Sequence, residues 1–162
     1  MPDPLLSIKN LTVVFKTRLG EVPVIDDVSF SIAPGEILGI VGESGCGKTM
    51  TSLAVMRLMP EQGKVTSGSI RLSGEDLVVA SEARMRGLRG NEISMVFQEP
   101  MTSLNPVFSV GEQIAEVLIA HQGLNKKEAR EQAVELLESV KIPLPSLRVN
   151  DYPHQLSGGM RQ

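Results

Sequence analysis

A glycine-rich segment in the first half of the chain constrains the fold most tightly, and it reads Gly42-Glu43-Ser44-Gly45-Cys46-Gly47-Lys48-Thr49. The segment matches the pattern G-x-x-x-x-G-K-[ST] at each required position. Glycines let the backbone wind tightly, so that successive N–H groups can point inward at phosphate oxygens. An apolar run precedes the segment at 36–41, and a helical pattern follows it from Lys48 to about Met59. This strand–loop–helix order predicts a phosphate-binding loop rather than a chance match in a turn.

Individual side chains of this loop have predicted roles. Lys48 is predicted to reach the β- and γ-phosphates, and the Thr49 hydroxyl to ligand Mg²⁺, a hard cation that prefers oxygen. Met50 is counted with the binding residues, although it could instead fill the core with the other methionines of the helix. Cys46 occupies a variable position, and its place at a helix N-terminus beside Lys48 also suggests a reactive thiol. The predicted binding set of the loop is Gly42, Glu43, Ser44, Gly45, Cys46, Gly47, Lys48, Thr49 and Met50.

Composition restricts the class of protein. The 162 residues are 41% apolar and 22% charged, which fits one globular domain that buries a core without disulfides. The single cysteine excludes an intrachain disulfide and fits a reducing compartment. A net charge of −3 and an aromatic content of 3% argue against a nucleic-acid binder. Neither a membrane-spanning run nor a leader peptide is recognisable, so we expect a soluble intracellular chain.

Hydrophobic periodicity predicts the remaining elements. Strands are predicted at 6–15, 22–32, 36–41, 68–72 and 92–98, and the strand at 36–41 is expected to be buried on both faces. Helices are predicted at 81–88, 109–121 and 125–140. Ser109 with Glu112, and Asn125 with Glu128, have the spacing of capping boxes. The arginines of the first of these helices are interpreted as a solvated face, and they are Arg84, Arg86 and Arg89.

The end of the sequence carries a second motif, which reads Leu156-Ser157-Gly158-Gly159-Met160-Arg161-Gln162. It resembles the signature motif of ATP-binding-cassette (ABC) ATPases. Gln98, which ends the predicted strand between the two motifs, is similar to the Q-loop glutamine of that family. Phe15 lies where the family stacks an aromatic ring on adenine, although simple core packing in a strand is an alternative. The stretches 97–108 and 110–114 narrow the resemblance to the peptide/nickel importer subfamily, and 152–155 supports it.

This resemblance implies an α/β fold of the P-loop NTPase class. A RecA-like core is expected to carry an antiparallel β-subdomain and a helical subdomain, with the C-terminal part of the core absent. The implied division is 1–98 for the β-subdomain and the phosphate-loop part of the core, 99–155 for the Q-loop and the helical subdomain, and 156–162 for the signature motif.

The resemblance also implies a function. The expected function is that of the ATP-binding subunit of a bacterial importer, which couples ATP binding and hydrolysis to uptake of di- or oligopeptides, or of nickel or glutathione. ATP and Mg²⁺ are the implied cofactors, with Lys48 and Gln98 in catalytic roles and Thr49 and Gln98 near the metal. Two such domains, identical or different, pair head to tail, and the signature of one covers ATP on the other through Ser157, Gly158 and Gly159.

Membrane subunits are the other implied partners. The loop 100–108 is expected to contact transmembrane permease subunits, which places the chain peripherally at the cytoplasmic face of the inner membrane; a solute-binding protein is an indirect partner, and nucleic acid is not one. Met101, Leu104, Val107 and Phe108 make this loop apolar, which suggests docking, although Leu104 and Val107 could fill the core of the helical subdomain.

Alternatives differ in what happens to ATP. In the family a metal-binding Asp, a catalytic Glu and a switch His follow the signature, so we expect this chain alone to hydrolyse ATP slowly or not at all. A non-hydrolysing nucleotide-binding or regulatory fragment is therefore the alternative. A P-loop kinase or a nucleic-acid motor is disfavoured by the signature motif and by the lack of a basic patch.

Overall fold

A computed structural model describes residues 3–97 and 103–162 of the chain. The chain divides into two compact units, Met1–Ser94 and Met95–Gln162. No helix among the described residues is long and apolar enough to cross a membrane.

The first unit is built on an antiparallel sheet of four strands in the order β2-β1-β3-β4. The strands are β1 (Leu6–Thr17), β2 (Gly20–Ile32), β3 (Gly63–Leu72) and β4 (Glu75–Asp76). A tight turn joins β1 to β2, so that Thr17 pairs with Gly20 and Leu6 pairs with Ile32. The predicted strands in the first 32 residues are thus confirmed, and the antiparallel sheet of the expected β-subdomain is present.

A β-bulge in β1 sets which side chains enter the core. The pairing register shifts between Ile8 and Leu11, where Asn10 has a φ of 48°. The extra residue changes the phase of the alternation, so Ile8, Leu11 and Val13 are all buried on one face despite their uneven spacing. These residues form the core of the unit with apolar side chains from the rest of the unit, namely Ile25, Ala54, Val55, Ile70, Leu72, Leu77, Met85 and Leu88.

Two helices cover this unit. Helix α1 (Lys48–Met56) buries Thr51, Ala54 and Val55, and helix α2 (Glu82–Leu88) buries Met85 and Leu88. The predicted continuation of α1 to Met59 is wrong, because Arg57 adopts a left-handed conformation with φ 50° and ends the helix. The next strand, β3, begins at Gly63 rather than at the predicted Gly68, so the connection after α1 is short.

Helices make up the second unit. They are α3 (Val110–Gln122), α4 (Lys126–Ser139), α5 (Pro145–Arg148) and α6 (Gly158–Arg161), with a 3₁₀ turn at Pro153–Gln155. Both predicted capping boxes are confirmed, at the starts of α3 and α4. The core of this unit is small and consists of Val110, Ala133, Leu137, Val149 and Leu156.

Two predicted strands are not formed. Residues 36–41 pair with no strand in the described part of the chain, and Ile37 and Val41 are 96% and 94% exposed. Residues 92–97 make only an isolated bridge between Arg89 and Ile93, and Val96 is 91% exposed. A strand buried on both faces needs neighbouring strands, and the described residues pair no strand with these positions.

Candidate phosphate-binding site

The glycine-rich loop has the backbone geometry that its sequence predicts. Gly45 and Gly47 have φ values of 83° and 94°, a region that L side chains adopt only with strain. Gly42 is restricted by space, because a Cβ there would lie 2.6 Å from the Cys46 sulfur. The Cys46 N–H donates to the Glu43 carbonyl at 3.3 Å, which closes the turn. The loop is therefore a tight cradle that larger residues at these glycine positions would distort or fill.

Lys48 lies at the mouth of this cradle. Its ammonium donates to the carbonyl oxygens of Gly42 and Glu43, each at 2.7 Å, and lies 3.4 Å from the Cys46 sulfur. The first backbone N–H groups of α1 are beside it, because Lys48 is the first residue of the helix. A positive charge, a helix N-terminus and flexible glycines together suit an anionic ligand, so the residues present fit a nucleotide phosphate.

The junction between the loop and α1 is held by hydrogen bonds within the first helical turn and by close packing on the sheet. The carbonyl oxygen of Gly47 accepts both the N–H of Thr51 at 2.8 Å and its hydroxyl at 3.0 Å. A Cβ on Gly47 would lie 2.9 Å from the Val24 carbonyl oxygen and 3.6 Å from the Ile25 side chain. Sequence reasoning missed Thr51, although a hydroxyl one turn into the helix after the motif is a visible signal.

The other predicted site residues of the first unit are Thr49, Met50 and Phe15, and they differ in how far they are buried. Thr49 is exposed on the first turn of α1, where its hydroxyl is free of the core. Met50 is half-buried and packs on the core cluster, as the core-filling alternative expects. The Phe15 ring also packs on this cluster and lies over Gly63, where a Cβ would be 3.0 Å from the ring edge. Phe15 is on β1, two residues beyond Val13, which pairs with Ile25 beside the loop.

The signature residues form a separate cluster in the second unit. Ser157 is the N-cap of α6, and its hydroxyl accepts from the Met160 N–H at 3.4 Å. Gly158 and Gly159 are exposed, and a Cβ on either would meet no atom of the described residues within 4 Å. Leu156 is buried and anchors the segment in the core of the unit. The fold of this unit thus gives no packing reason for the two glycines, which leave backbone N–H groups open at a helix start.

The apolar loop before α3 is held by a side chain that sequence reasoning missed. The Gln113 amide nitrogen donates to the carbonyl oxygens of Asn105 and Phe108 at 3.0 and 3.1 Å, and its oxygen accepts from the Asn105 N–H at 2.8 Å. Val107 and Phe108 are presented outward, 69% and 49% exposed, so the core-filling alternative for Val107 is wrong. Leu104 is half-buried. Gln98, Pro100 and Met101 lie outside the described residues.

Two carboxylates of the scaffold, one in each unit, are held in their charged form by hydrogen bonds from nearby side chains. The hydroxyl and the backbone N–H of Ser109 both donate to the Glu112 carboxylate, at 2.7 and 2.8 Å, and these bonds hold the pKa of Glu112 below its ordinary value. In the first unit, the Arg84 guanidinium lowers the pKa of Glu75 in the same way. These carboxylates stabilise the scaffold and are remote in sequence from both glycine motifs.

Comparison with known proteins identifies the family. The sequence profile described as ABC transporter matches residues 25–162, which is most of the chain. The chain therefore belongs to the ABC transporter family, as the two glycine motifs predict. The match includes both the phosphate loop and the signature segment.

Curated relatives are about half identical in sequence. A peptide import ATP-binding protein of Brucella abortus is 49% identical over 159 residues, which cover 98% of this chain and 48% of that protein. The oligopeptide transport ATP-binding protein OppD of Bacillus subtilis is 54% identical over 159 residues, which cover 98% of this chain and 44% of OppD. The chain thus spans about half the length of the curated relatives it matches.

Solved structures agree with the fold class. The dimeric ABC transporter cassette MJ0796 superposes with a TM-score of 0.79 at 26% identity, covering 96% of this chain and 65% of that cassette. The same cassette in a post-hydrolysis state bound to ADP and Pi matches equally well. The predicted α/β class, with an antiparallel sheet and a helical part, is therefore confirmed.

Proposed function

We propose that this chain is the nucleotide-binding part of an importer subunit that couples ATP binding and hydrolysis to uptake of di- or oligopeptides. The observation that carries the proposal is the cradle around Lys48, which suits a nucleotide phosphate. Sequence identity of about half with peptide import ATP-binding proteins, over nearly the whole chain, supports the peptide class over nickel or glutathione.

The chemistry that we propose for the loop is electrostatic. The Lys48 ammonium exchanges its two carbonyl partners for phosphate oxygens, while the backbone N–H groups of the loop and of α1 donate to the same anion. We assign the Thr49 hydroxyl and the Gln98 amide oxygen as the protein ligands that would hold Mg²⁺, which would help to neutralise the phosphate charge. Phe15, a partly buried aromatic side chain on β1, is proposed to stack on adenine.

A second copy of the domain completes the proposed site. Ser157, Gly158 and Gly159 present a hydroxyl and backbone N–H groups at the start of α6, and within residues 3–97 and 103–162 no atom lies within 4 Å of a Cβ built on either glycine. We propose that these groups cover ATP bound to the loop of a partner ATPase subunit, in a head-to-tail dimer. The dimeric form of the MJ0796 cassette is in line with such pairing.

The permease-facing surface that we propose is the loop 100–108, of which the structure describes 103–108. Gln113 holds this loop by three hydrogen bonds, so Val107 and Phe108 are presented on a fixed backbone. Exposed apolar side chains on a fixed loop favour docking to another protein. The subunit would then act peripherally at the cytoplasmic face of the inner membrane, and a solute-binding protein would be only an indirect partner.

Nucleotide binding is the direct test of the proposal. Calorimetric titration of the chain with MgATP is expected to show saturable binding that Lys48→Ala weakens at least tenfold, because a charge-assisted hydrogen bond contributes about 1.5–3 kcal/mol. Lys64→Ala, which removes an exposed lysine on β3, is the matched control and should bind as the parent does. MgATP should also slow alkylation of Cys46, the chain's only cysteine. Equal affinity of the two lysine variants would contradict the assignment of the loop.

Turnover and the solute class need separate experiments. We propose that the 162 residues bind ATP but hydrolyse it slowly or not at all alone, because Glu43, the one acidic residue within the loop motif, does not stand where the family has its catalytic glutamate. A phosphate-release assay at saturating MgATP tests this, and turnover as fast as that of a full-length relative would refute it. For the solute, these residues can replace the matching half of Bacillus subtilis OppD. Retained oligopeptide uptake supports the peptide class, and a folded chimera without uptake contradicts it.

A further inference from the structure

The C-terminal end of α1 has no basic side chain of its own in its last turn. Helix ends leave carbonyl groups without partners inside the helix, and the partial negative charge there favours a cation. Two of these carbonyls, of Leu53 and Ala54, accept the N–H groups of Leu58 and Arg57 at 2.9 and 3.1 Å. The carbonyls that follow, of Met56 and Arg57, have a partner from outside the helix.

That partner is Arg89, the C-cap residue of α2. Its Nε donates to the Met56 carbonyl at 2.8 Å, and one Nη donates to the Arg57 carbonyl at 3.1 Å. Its side chain is only 20% exposed, so the interpretation of Arg89 as part of a solvated face is wrong. One planar guanidinium therefore holds two consecutive carbonyls at the end of the phosphate-loop helix.

Glu82, at the start of α2, fixes the position of this guanidinium. Its carboxylate accepts from Arg89 at 2.8 Å and lies 3.6 Å from the Arg57 guanidinium. The hydrogen bond from Arg89 is the main reason that the pKa of Glu82 lies below its ordinary value. Arg57 in turn donates to the Leu77 and Ala80 carbonyls, so both arginines tie the end of α1 to the segment that enters α2.

We propose that Arg89 is a positioning residue for the phosphate loop, holding α1 by its C-terminal carbonyls so that the backbone N–H groups at its N-terminus keep their aim. This inference rests on the proposed nucleotide-binding function. Helix α1 is a rod of 9 residues whose two ends are fixed by different contacts, the Gly47 junction with β2 and the Arg89 fork. Without the Arg89 fork this end keeps only the Arg57 contacts and its buried side chains, which allows the helix to shift slightly, and binding geometry is sensitive to shifts of about 1 Å.

The test compares arginine variants of the same helix. Arg89→Gln removes the fork, and we expect MgATP affinity to fall about tenfold, the size of one charge-assisted hydrogen bond. Arg89→Lys keeps the charge and replaces the planar fork by a single donor nitrogen, and it should recover affinity to within about threefold of the parent chain. Arg84→Gln is the matched control, because Arg84 is an arginine of the same helix, α2, whose ion pairs are to Glu75 and Glu92 rather than to α1.

A second readout does not depend on nucleotide. Cys46 lies at the far end of α1 from Arg89, is exposed, and is the chain's only cysteine. Its alkylation rate by iodoacetamide, without nucleotide, should rise about threefold or more in Arg89→Gln and stay unchanged in Arg84→Gln. A threefold change in rate corresponds to about half of the 1.4 kcal/mol that a tenfold change requires. If Arg89 only stabilised the fold, the alkylation rate of Cys46 would rise in both Arg89→Gln and Arg84→Gln, in proportion to the decrease in each variant's thermal midpoint.

The outcomes separate the inference from the proposed function. If the parent chain binds MgATP, while Arg89→Gln binds within twofold of it and Cys46 reacts at the parent rate, the positioning role is refuted. If the parent chain fails to bind MgATP, the proposed function fails, and the Cys46 rates still decide whether Arg89 positions the loop. If Arg89→Gln does not fold, recovery of both readouts in Arg89→Lys supports the inference, and a folded Arg89→Lys that stays as impaired as Lys48→Ala overturns it.

Discussion

The phosphate loop at the start of α1 and the glycine pair at the start of α6 both present backbone N–H groups at a helix N-terminus, but they are held differently. Around the phosphate loop, Gly47 abuts β2 and Lys48 occupies the cradle. Around the glycine pair, Leu156 is buried on one side, while a Cβ added to Gly158 or Gly159 would meet no atom within 4 Å. The first motif is preorganised by its own unit, and the second has a surface that remains open to a partner.

Replacement of Gly47 is the strongest test of this difference. Gly47→Ala combines a φ of 94° with a Cβ 2.9 Å from the Val24 carbonyl, so we expect a loss of about 2–4 kcal/mol in the free energy of unfolding. Gly45→Ala is the matched control, since its φ is 83° but nothing lies within 4 Å, and strain alone should cost about 1–2 kcal/mol. Urea unfolding measures both. Equal losses would mean that contact with β2 does not fix the loop.

The two serine N-caps of the second unit give the next largest effect. Ser109 is buried and forms a complete capping box with Glu112, whereas Ser157 is exposed and accepts only a long bond of 3.4 Å. Ser109→Ala should therefore cost about 1–2 kcal/mol, and Ser157→Ala about 0.5 kcal/mol or less. Thermal unfolding of the two variants checks the order. A larger loss from Ser157→Ala would show that the start of α6 is fixed more firmly than its contacts indicate.

The glycine pair itself should tolerate alanine in the isolated chain. Because no atom lies within 4 Å of either Cβ position, Gly158→Ala is expected to change the free energy of unfolding by about 1 kcal/mol at most, in the stabilising direction. Thermal unfolding checks this for Gly158→Ala and Gly159→Ala separately. A clear destabilisation by either would give that glycine a packing role and weaken its assignment to a partner's nucleotide.

The smallest expected effect is on the pH dependence of stability. Glu112 has a lowered pKa in the folded chain, mainly through the Ser109 hydroxyl, so its charged form is favoured by folding. This contribution is fully present above the ordinary pKa of a glutamate and is lost as the pH falls through the lowered folded value. The urea midpoint should fall between pH 6 and pH 3 by less in Ser109→Ala than in the parent chain. Parallel profiles would show that the Ser109 hydroxyl does not set the pKa of Glu112.

Local signals in the sequence predicted local structure well. The spacing of Ser109 and Glu112, and of Asn125 and Glu128, predicted both capping boxes, because each partner lies within one turn of the other. The loop glycines predicted a tightly wound backbone, and Gly45 and Gly47 have positive φ values there. Such features depend on residues that are close in the sequence, so a single sequence contains them.

Features that depend on distant residues were missed. The run 36–41 has the composition of a buried strand, but whether it is one depends on pairing partners that its own residues do not specify. Arg89 was interpreted as solvated because its carbonyl partners are 32 and 33 positions away in the sequence. Gln113 resembles any polar residue on a helix, and only the folded loop brings Asn105 and Phe108 to its amide.

The exposed run 36–41 has a practical consequence for handling the chain. Beyond Glu36 it carries no charge and no proline, and it combines β-branched residues with apolar exposure at Ile37 and Val41. Such short, uncharged segments pair readily with copies of themselves when their backbone is free. The isolated 162-residue chain should thus self-associate at high concentration, and light scattering should show the onset shifting upward when Val41 is replaced by lysine.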